Sequence, residues 1–105
     1  MKRKFGIVYI TASDKKEAKK IVEVLLKERL VACVNHFPIS SEYWWNGKIE
    51  RSREYLLICK TTRRNFNKIK KKATEIHSYE VPEILLLPIS DGYEGFLRWI
   101  KKETI

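Results

Sequence analysis

Tyr43-Trp44-Trp45-Asn46-Gly47-Lys48-Ile49-Glu50 is the stretch that decides the fold. Asn46-Gly47 sets two residues that tolerate positive φ between two β-type runs, which predicts a tight type I′ hairpin. Its arms run from Ala32 to Trp45 and from Lys48 to Thr61. Strands average about 5–6 residues, whereas an arm of about a dozen residues at ~3.3 Å each is roughly 40 Å long. A chain of this size has a radius of gyration of only about 13 Å, so the hairpin is expected to project beyond its own core. Trp44 and Trp45 point to opposite faces, and one domain does not easily cover both. An uncovered aromatic ribbon invites pairing. Cover by another subunit is the simplest resolution; a hairpin curled back onto its own domain is the alternative.

Before the hairpin, Phe5, Ile7, Val8, Tyr9 and Ile10 form a β-type run ending at the polar Thr11–Ser13 corner. Asp14, with Glu17 three residues on, has the spacing of a helix start. Ala18, Ile21, Val22, Leu25 and Leu26 then make one apolar helix face. From Val31 to Phe37 the pattern is β again, and Pro38 predicts a bend or bulge on an edge strand. After the hairpin, Phe66, Ile69, Ala73 and Ile76 mark a second helix with a Lys-rich opposite face. Val81 to Ile89 reads as a last strand. Asp91 and Glu94 repeat the capping spacing ahead of a terminal helix carrying Tyr93, Phe96, Leu97 and Ile100. The order β-α-β-β-α-β plus a helix is an α+β, split-βαβ arrangement in one domain over residues 1–105.

The chain carries 22 Lys+Arg against 13 Asp+Glu, a formal +9, which raises the case for an acidic partner. The basic residues concentrate at Lys15, Lys16, Lys19 and Lys20 and between Arg63 and Lys72. Both stretches read as solvated helix faces, with a binding patch as the lesser reading. Cys33 and Cys59 lie inside apolar runs and are expected to be reduced and buried. No apolar run reaches the ~18 residues of a membrane span, and Met1–Lys4 lacks a following signal-type segment, so no membrane association and a cytoplasmic location are expected.

No Gly-rich phosphate loop, nucleophile elbow, HExxH or paired CxxC is present, so no enzyme activity is expected. Cys33, His36, Cys59 and His77 are the candidate metal ligands. Cys33 and His36 are three apart and face opposite sides of an unbulged strand. His77 closes a helix just before Ser78-Tyr79-Glu80-Val81-Pro82-Glu83. There it either favours the helix C-terminal dipole or joins Tyr79 and Glu83 in a polar site.

Several stretches together resemble the CutA (CutA1) divalent-cation tolerance family. They are Val8-Tyr9-Ile10-Thr11-Ala12, Glu28-Arg29-Leu30-Val31-Ala32-Cys33-Val34-Asn35, the hairpin segment, Lys60-Thr61-Thr62 and His77-Ser78-Tyr79-Glu80-Val81-Pro82-Glu83-Ile84. The resemblance spans nearly the whole chain. It implies a ferredoxin-like fold and a homotrimer whose hairpins, carrying Tyr43, Trp44, Asn46 and Gly47, extend the neighbours' sheets. It also implies divalent-cation binding, copper especially. Some members pair a first-strand Cys with two adjacent His before Pro-Tyr. The matching positions here are Ile10, Ile76-His77 and Ser78, so only His77 is retained, and the thiolate that would select Cu(I) is absent. The intersubunit cleft implied by the family maps onto Cys33, Asn35, Trp45, Glu50, Lys60 and Tyr79, with Glu83 beside it.

The expected function is therefore a non-enzymatic homotrimer for metal tolerance, with copper or zinc held weakly by His77 and Glu83. A PII-like module binding a small ligand or an unidentified partner protein in the cleft is the alternative. A nucleic-acid binder is disfavoured, because neither Phe5–Thr11 nor Lys48–Lys60 carries the base-stacking pattern of RNA-recognition sheets. An acylphosphatase-type enzyme is excluded by the lack of a Gly-rich anion loop in Thr11–Lys16.

Overall fold

The computed structural model describes residues 4–105; Met1–Arg3, read above for a signal segment, lie outside them. The elements are β1 (Phe5–Ala12), α1 (Lys15–Lys27), β2 (Cys33–Trp45), β3 (Lys48–Thr62), α2 (Phe66–Ile76), β4 (Ile84–Pro88) and α3 (Glu94–Glu103). A 3-10 turn, Arg63–Asn65, leads into α2. The sheet is antiparallel with order β2-β3-β1-β4. Since β1 and β2 both run against β3, they are parallel to one another with β3 between them.

The period-two alternation sorts the sheet into two faces. Val8, Ile10, Ala12, Leu57 and Cys59 point to one side, where Ala18, Ile21 and Leu25 of α1 and Ile69 and Ala73 of α2 close the core. Burying each Val, Leu or Ile side chain among them contributes about 1.5–3 kcal/mol. Leu26, expected on the buried face of α1, is 42% exposed, because the apolar stripe is narrower than its sequence pattern. α3 makes a second small core with Phe5, Leu97 and Ile100.

Asp14 caps α1 by accepting from the Glu17 N–H at 2.8 Å. The chain leaves α1 through Arg29, whose φ of 56° is stabilised by reverse-turn bonds from Arg29 N–H to Leu26 O and from Leu30 N–H to Leu25 O. The Asp91 spacing does not cap α3. Its helix begins at Glu94 with Tyr93 at the cap position, and Asp91 instead accepts from the N–H of Gly92. The last strand is shorter than expected, because Val81–Glu83 remain in the loop before β4.

β2 is an edge strand, which tolerates Pro38, but no bulge forms there. Pairing runs without a slip from Cys33↔Lys60 through Pro38↔Tyr55 to Trp45↔Lys48. Asn46 (φ 50°) and Gly47 (φ 77°) form the tip with both residues left-handed, as a type I′ turn requires. β1 pairs β3 only from Tyr55 to Thr62, so Lys48–Glu54 and their partners on β2 stand out as a two-stranded ribbon. The long axis reaches 44 Å against 26 and 22 Å for the others. Trp44 is 72% exposed and Trp45 41%, so this chain covers neither face of its own hairpin tip.

Candidate functional site

Where β1 ends and the ribbon continues alone, the loop between α2 and β4 folds alongside. Its path is set at both ends: His77 N–H donates to Ala73 O, and Thr11 N–H donates to Glu83 O. Between them His77 acts as a rivet. Its side chain is fully buried, with Nε2 2.6 Å from Thr11 O and Nδ1 accepting from the Tyr79 N–H at 3.2 Å. A carbonyl can only accept, so Nε2 carries the proton and Nδ1 supplies the lone pair. The Tyr79 ring lies 4.9 Å from the imidazole.

Glu17 ties the same loop to α1, its carboxylate accepting from Ser13 N–H at 2.9 Å and Ser78 N–H at 2.8 Å. Burial opposes its ionisation. Hydrogen bonds from the Ser13 amide and from the Ser78 hydroxyl and amide oppose that, and the carboxyl is held below its ordinary value. Tyr79 reaches the ribbon, donating its hydroxyl to Glu54 Oε2 at 2.8 Å. Glu54 is only 6% exposed. Burial, followed by the bond to Glu54 and its charge, raises the Tyr79 hydroxyl well above the ordinary phenol value.

The loop and the ribbon enclose an open groove of about 780 Å³. Tyr43, Trp44 and Trp45 supply its aromatic wall, and Tyr79 with the carboxylates Glu42, Glu54, Glu80 and Glu83 supplies its polar wall. No Lys or Arg lines it. Arg51 pairs with Glu42 from outside the lining, so Glu54, Glu80 and Glu83 give the groove its acidic character in a chain of formal +9.

Of the residues singled out from sequence, Tyr43, Trp44, Trp45, Tyr79 and Glu83 meet here. Asn46 and Gly47 form the turn beyond. Glu50 is exposed opposite Tyr43. Cys33, Asn35 and Lys60 lie at the far end of the hairpin, roughly 40 Å from Trp45 along β2. There Lys60 Nζ stands 3.9 Å from Cys33 Sγ. The proposed cleft set is thus divided within one chain. Glu42, Glu54 and Glu80 were missed, and Glu54 had no sequence signal, since it belongs to the charged run Glu50–Glu54 that reads as solvent-facing.

Residues 6–103 match the family described as CutA1 divalent ion tolerance protein. The chain belongs to the CutA1 family. A divalent-cation tolerance protein CutA of Archaeoglobus fulgidus is 44% identical over 95% of this chain and 97% of its own length. The CutA of Pyrococcus horikoshii is 42% identical over 93% and 96%. Among solved structures, Cut A1 of Thermus thermophilus superposes with a TM-score of 0.93 at 39% identity, covering 96% of this chain and 99% of that one. A structure described as the periplasmic divalent cation tolerance protein CutA of A. fulgidus gives 0.92 at 41% identity, covering 94% and 97%.

Against the ligand pattern ascribed to some CutA1 members, two positions here serve packing. Ile10 is fully buried in the main core and Ile76 packs against it. In the chain as folded both ring nitrogens of His77 have hydrogen-bond partners, Thr11 O and the Tyr79 N–H. Among the described residues, no group of three or more His, Cys, Asp and Glu side chains is set to hold a metal ion. Cys59 offers no soft ligand either, since burial pushes its thiol up to about 12.

Proposed function

We propose that the chain acts in divalent-cation tolerance as a non-enzymatic homotrimer, binding its cation in the acidic groove. The observation that carries this reading is the charge of that groove: four carboxylates, of which only Glu42 has an ion-pair partner among the described residues, and no Lys or Arg in its lining. Glu83 and its neighbouring carboxylates supply the ligands, and His77 holds the loop that presents them. Oxygen donors without thiolate favour Zn²⁺ or Cu²⁺ over Cu(I). The exposed ribbon supports the trimer, as does the sheet face opposite α1 and α2, where Phe37, Leu85 and Leu87 are about half exposed. A neighbour's residues would complete a coordination shell that one chain leaves short. The strand order and the position of β3 between β1 and β2 fit the ferredoxin-like class. Free Cys33 and Cys59 favour a reducing compartment and hence the cytoplasm; cell fractionation tests this against the periplasmic description of the A. fulgidus relative.

Calorimetric titration of Zn²⁺ and Cu²⁺ into the oligomer tests the groove. Binding that weakens roughly tenfold in Glu83→Gln supports it, one charge-assisted contact being worth about that much. Binding unchanged in that variant rejects it. Loss in a folded His77→Ala, with Glu83→Gln unaffected, would restore His77 as the ligand. Light scattering that returns a mass other than three chains rejects the trimer.

A PII-like signalling role remains the second reading, favoured by the Cys33–Lys60 pair at the base of the open sheet face. It requires Lys60→Ala and Glu50→Gln to abolish a ligand or partner response while metal titration is unaltered.

A further inference from the structure

A second hollow, of about 680 Å³, lies at the opposite end of β1 and β3. Lys4, Arg63, Arg64 and Lys101 line it, and no Asp or Glu side chain does. Among the described residues, Lys4, Arg64 and Lys101 form no ion pair, unlike Arg29 with Glu103 or Lys72 with Glu28. Clustering unpaired cations is unfavourable unless something anionic offsets their repulsion. The helical segment that starts at Arg63 and continues as α2 begins here too, and neither Thr62 nor Asn65 caps it with a side chain. The Phe66 N–H is bonded to Arg63 O, the N–H groups ahead of it receive no side-chain cap, and the dipole adds positive potential.

The independent sign of a ligand is Thr62. It lines the same hollow at the end of β3, is 8% exposed, and its hydroxyl has no hydrogen-bond partner. A buried hydroxyl without a partner costs stability, and a native chain rarely keeps one without use. Asn65, next to it, is by contrast satisfied through Leu30 O and Ile105 O. The remaining wall is apolar: Phe5, Phe66 and Leu86.

We propose that this hollow is a binding site for a phosphorylated small organic molecule. Its phosphate oxygens accept from Arg64, Lys101, Lys4 and the Thr62 hydroxyl at the end of β3, and its apolar body lies on Phe5, Phe66 and Leu86. The volume falls within the roughly 300–1,000 Å³ of small-molecule sites. The proposal does not depend on the metal reading, because no lining residue is shared with the acidic groove.

The test is calorimetric titration of the oligomer with phenyl phosphate, inorganic phosphate and a short single-stranded RNA. Phenyl phosphate is expected to bind more tightly than inorganic phosphate. Arg64→Ala is expected to weaken it roughly tenfold, as loss of one charge-assisted contact does. Thr62→Val is expected to weaken it several-fold while leaving the unfolding midpoint unchanged or higher. A Lys19→Ala/Lys20→Ala variant removes equal or greater charge from α1 and is expected to bind as wild type. No binding of phenyl phosphate overturns the proposal. So does equal weakening by the α1 variant, which would mean general charge attraction, or tight RNA binding without phenyl phosphate. Equal affinity for inorganic phosphate overturns the organic ligand.

Discussion

The two hollows sit at opposite ends of the β1–β3 pair, roughly 25 Å apart, and carry opposite charge. One is walled by Glu42, Glu54, Glu80 and Glu83 with no Lys or Arg in the lining, Arg51 pairing with Glu42 from outside; the other by Lys4, Arg63, Arg64 and Lys101 with no Asp or Glu side chain in the lining. A formal +9 describes neither. At about 0.15 M salt, charges are screened over roughly 8 Å, so each hollow responds to its own lining and hardly to the other. Both also contain a buried oxygen, but in different states. Glu54 holds the Tyr79 hydroxyl, whereas the Thr62 hydroxyl holds nothing. The groove is organised before any ligand arrives; the basic hollow leaves a polar group for a ligand to satisfy.

Reversing the acidic wall breaks the contrast most severely. Glu80→Lys combined with Glu83→Lys is expected to lower Zn²⁺ affinity roughly a hundredfold or more, about 3 kcal/mol for two lost contacts. Phenyl phosphate titration should be unaltered in that variant, and a change there would mean the two ends are coupled. Next in size, Tyr79→Phe strips Glu54 of its donor and is expected to destabilise the fold by about 1–3 kcal/mol, read by guanidinium unfolding. A neutral result would mean that solvent or another subunit already serves Glu54.

Thr62→Val tests the opposite end. Removing a hydroxyl that has no partner is expected to be neutral or to stabilise by up to about 1 kcal/mol, in the same unfolding measurement. Destabilisation beyond that would reveal a hidden partner.

The smallest effect is expected from acid. Glu17 has a lowered carboxyl, so its support of the Ser78 loop is fully present above the ordinary value of 4.5. It is lost as pH falls through the lowered value. Glu17→Gln should reduce that acid-side loss of stability and leave the neutral-to-basic side parallel to wild type.

The scaffold was legible because its signals are local. Asn46-Gly47 specifies the turn through backbone sterics, and the two apolar periods separate strands from helices. Where the reading slipped, a tertiary contact had overridden a local pattern. Asp91 has the right spacing for a cap, but Tyr93 takes the cap position. Pro38 needs no bulge because its strand has an edge free of a further partner. Arg29 takes a left-handed conformation with no glycine to announce it, held by reverse-turn bonds to Leu25 and Leu26.

The site was legible in its aromatic half and, among its carboxylates, in Glu83 alone. Tyr43, Trp44, Trp45 and Tyr79 stand out by residue type. The role of His77 did not, since a histidine that ligates and one that rivets a loop are the same letter until both nitrogens have partners.

By itself, then, the sequence determined the element order, the hairpin and its excess length, and the family. These follow from backbone sterics, hydrophobic period and motifs contiguous along the chain. Only the tertiary structure decided which charges share a wall. Glu42, Glu54 and the Glu80–Glu83 loop are three separate segments, as are those of Lys4, Arg64 and Lys101, and summing charge along a chain cannot assign them to two opposite ends of one sheet. The burial of Glu54 with a partner and of Thr62 without one was decided there as well. Whether a polar atom is satisfied depends on neighbours that folding brings from elsewhere in the chain.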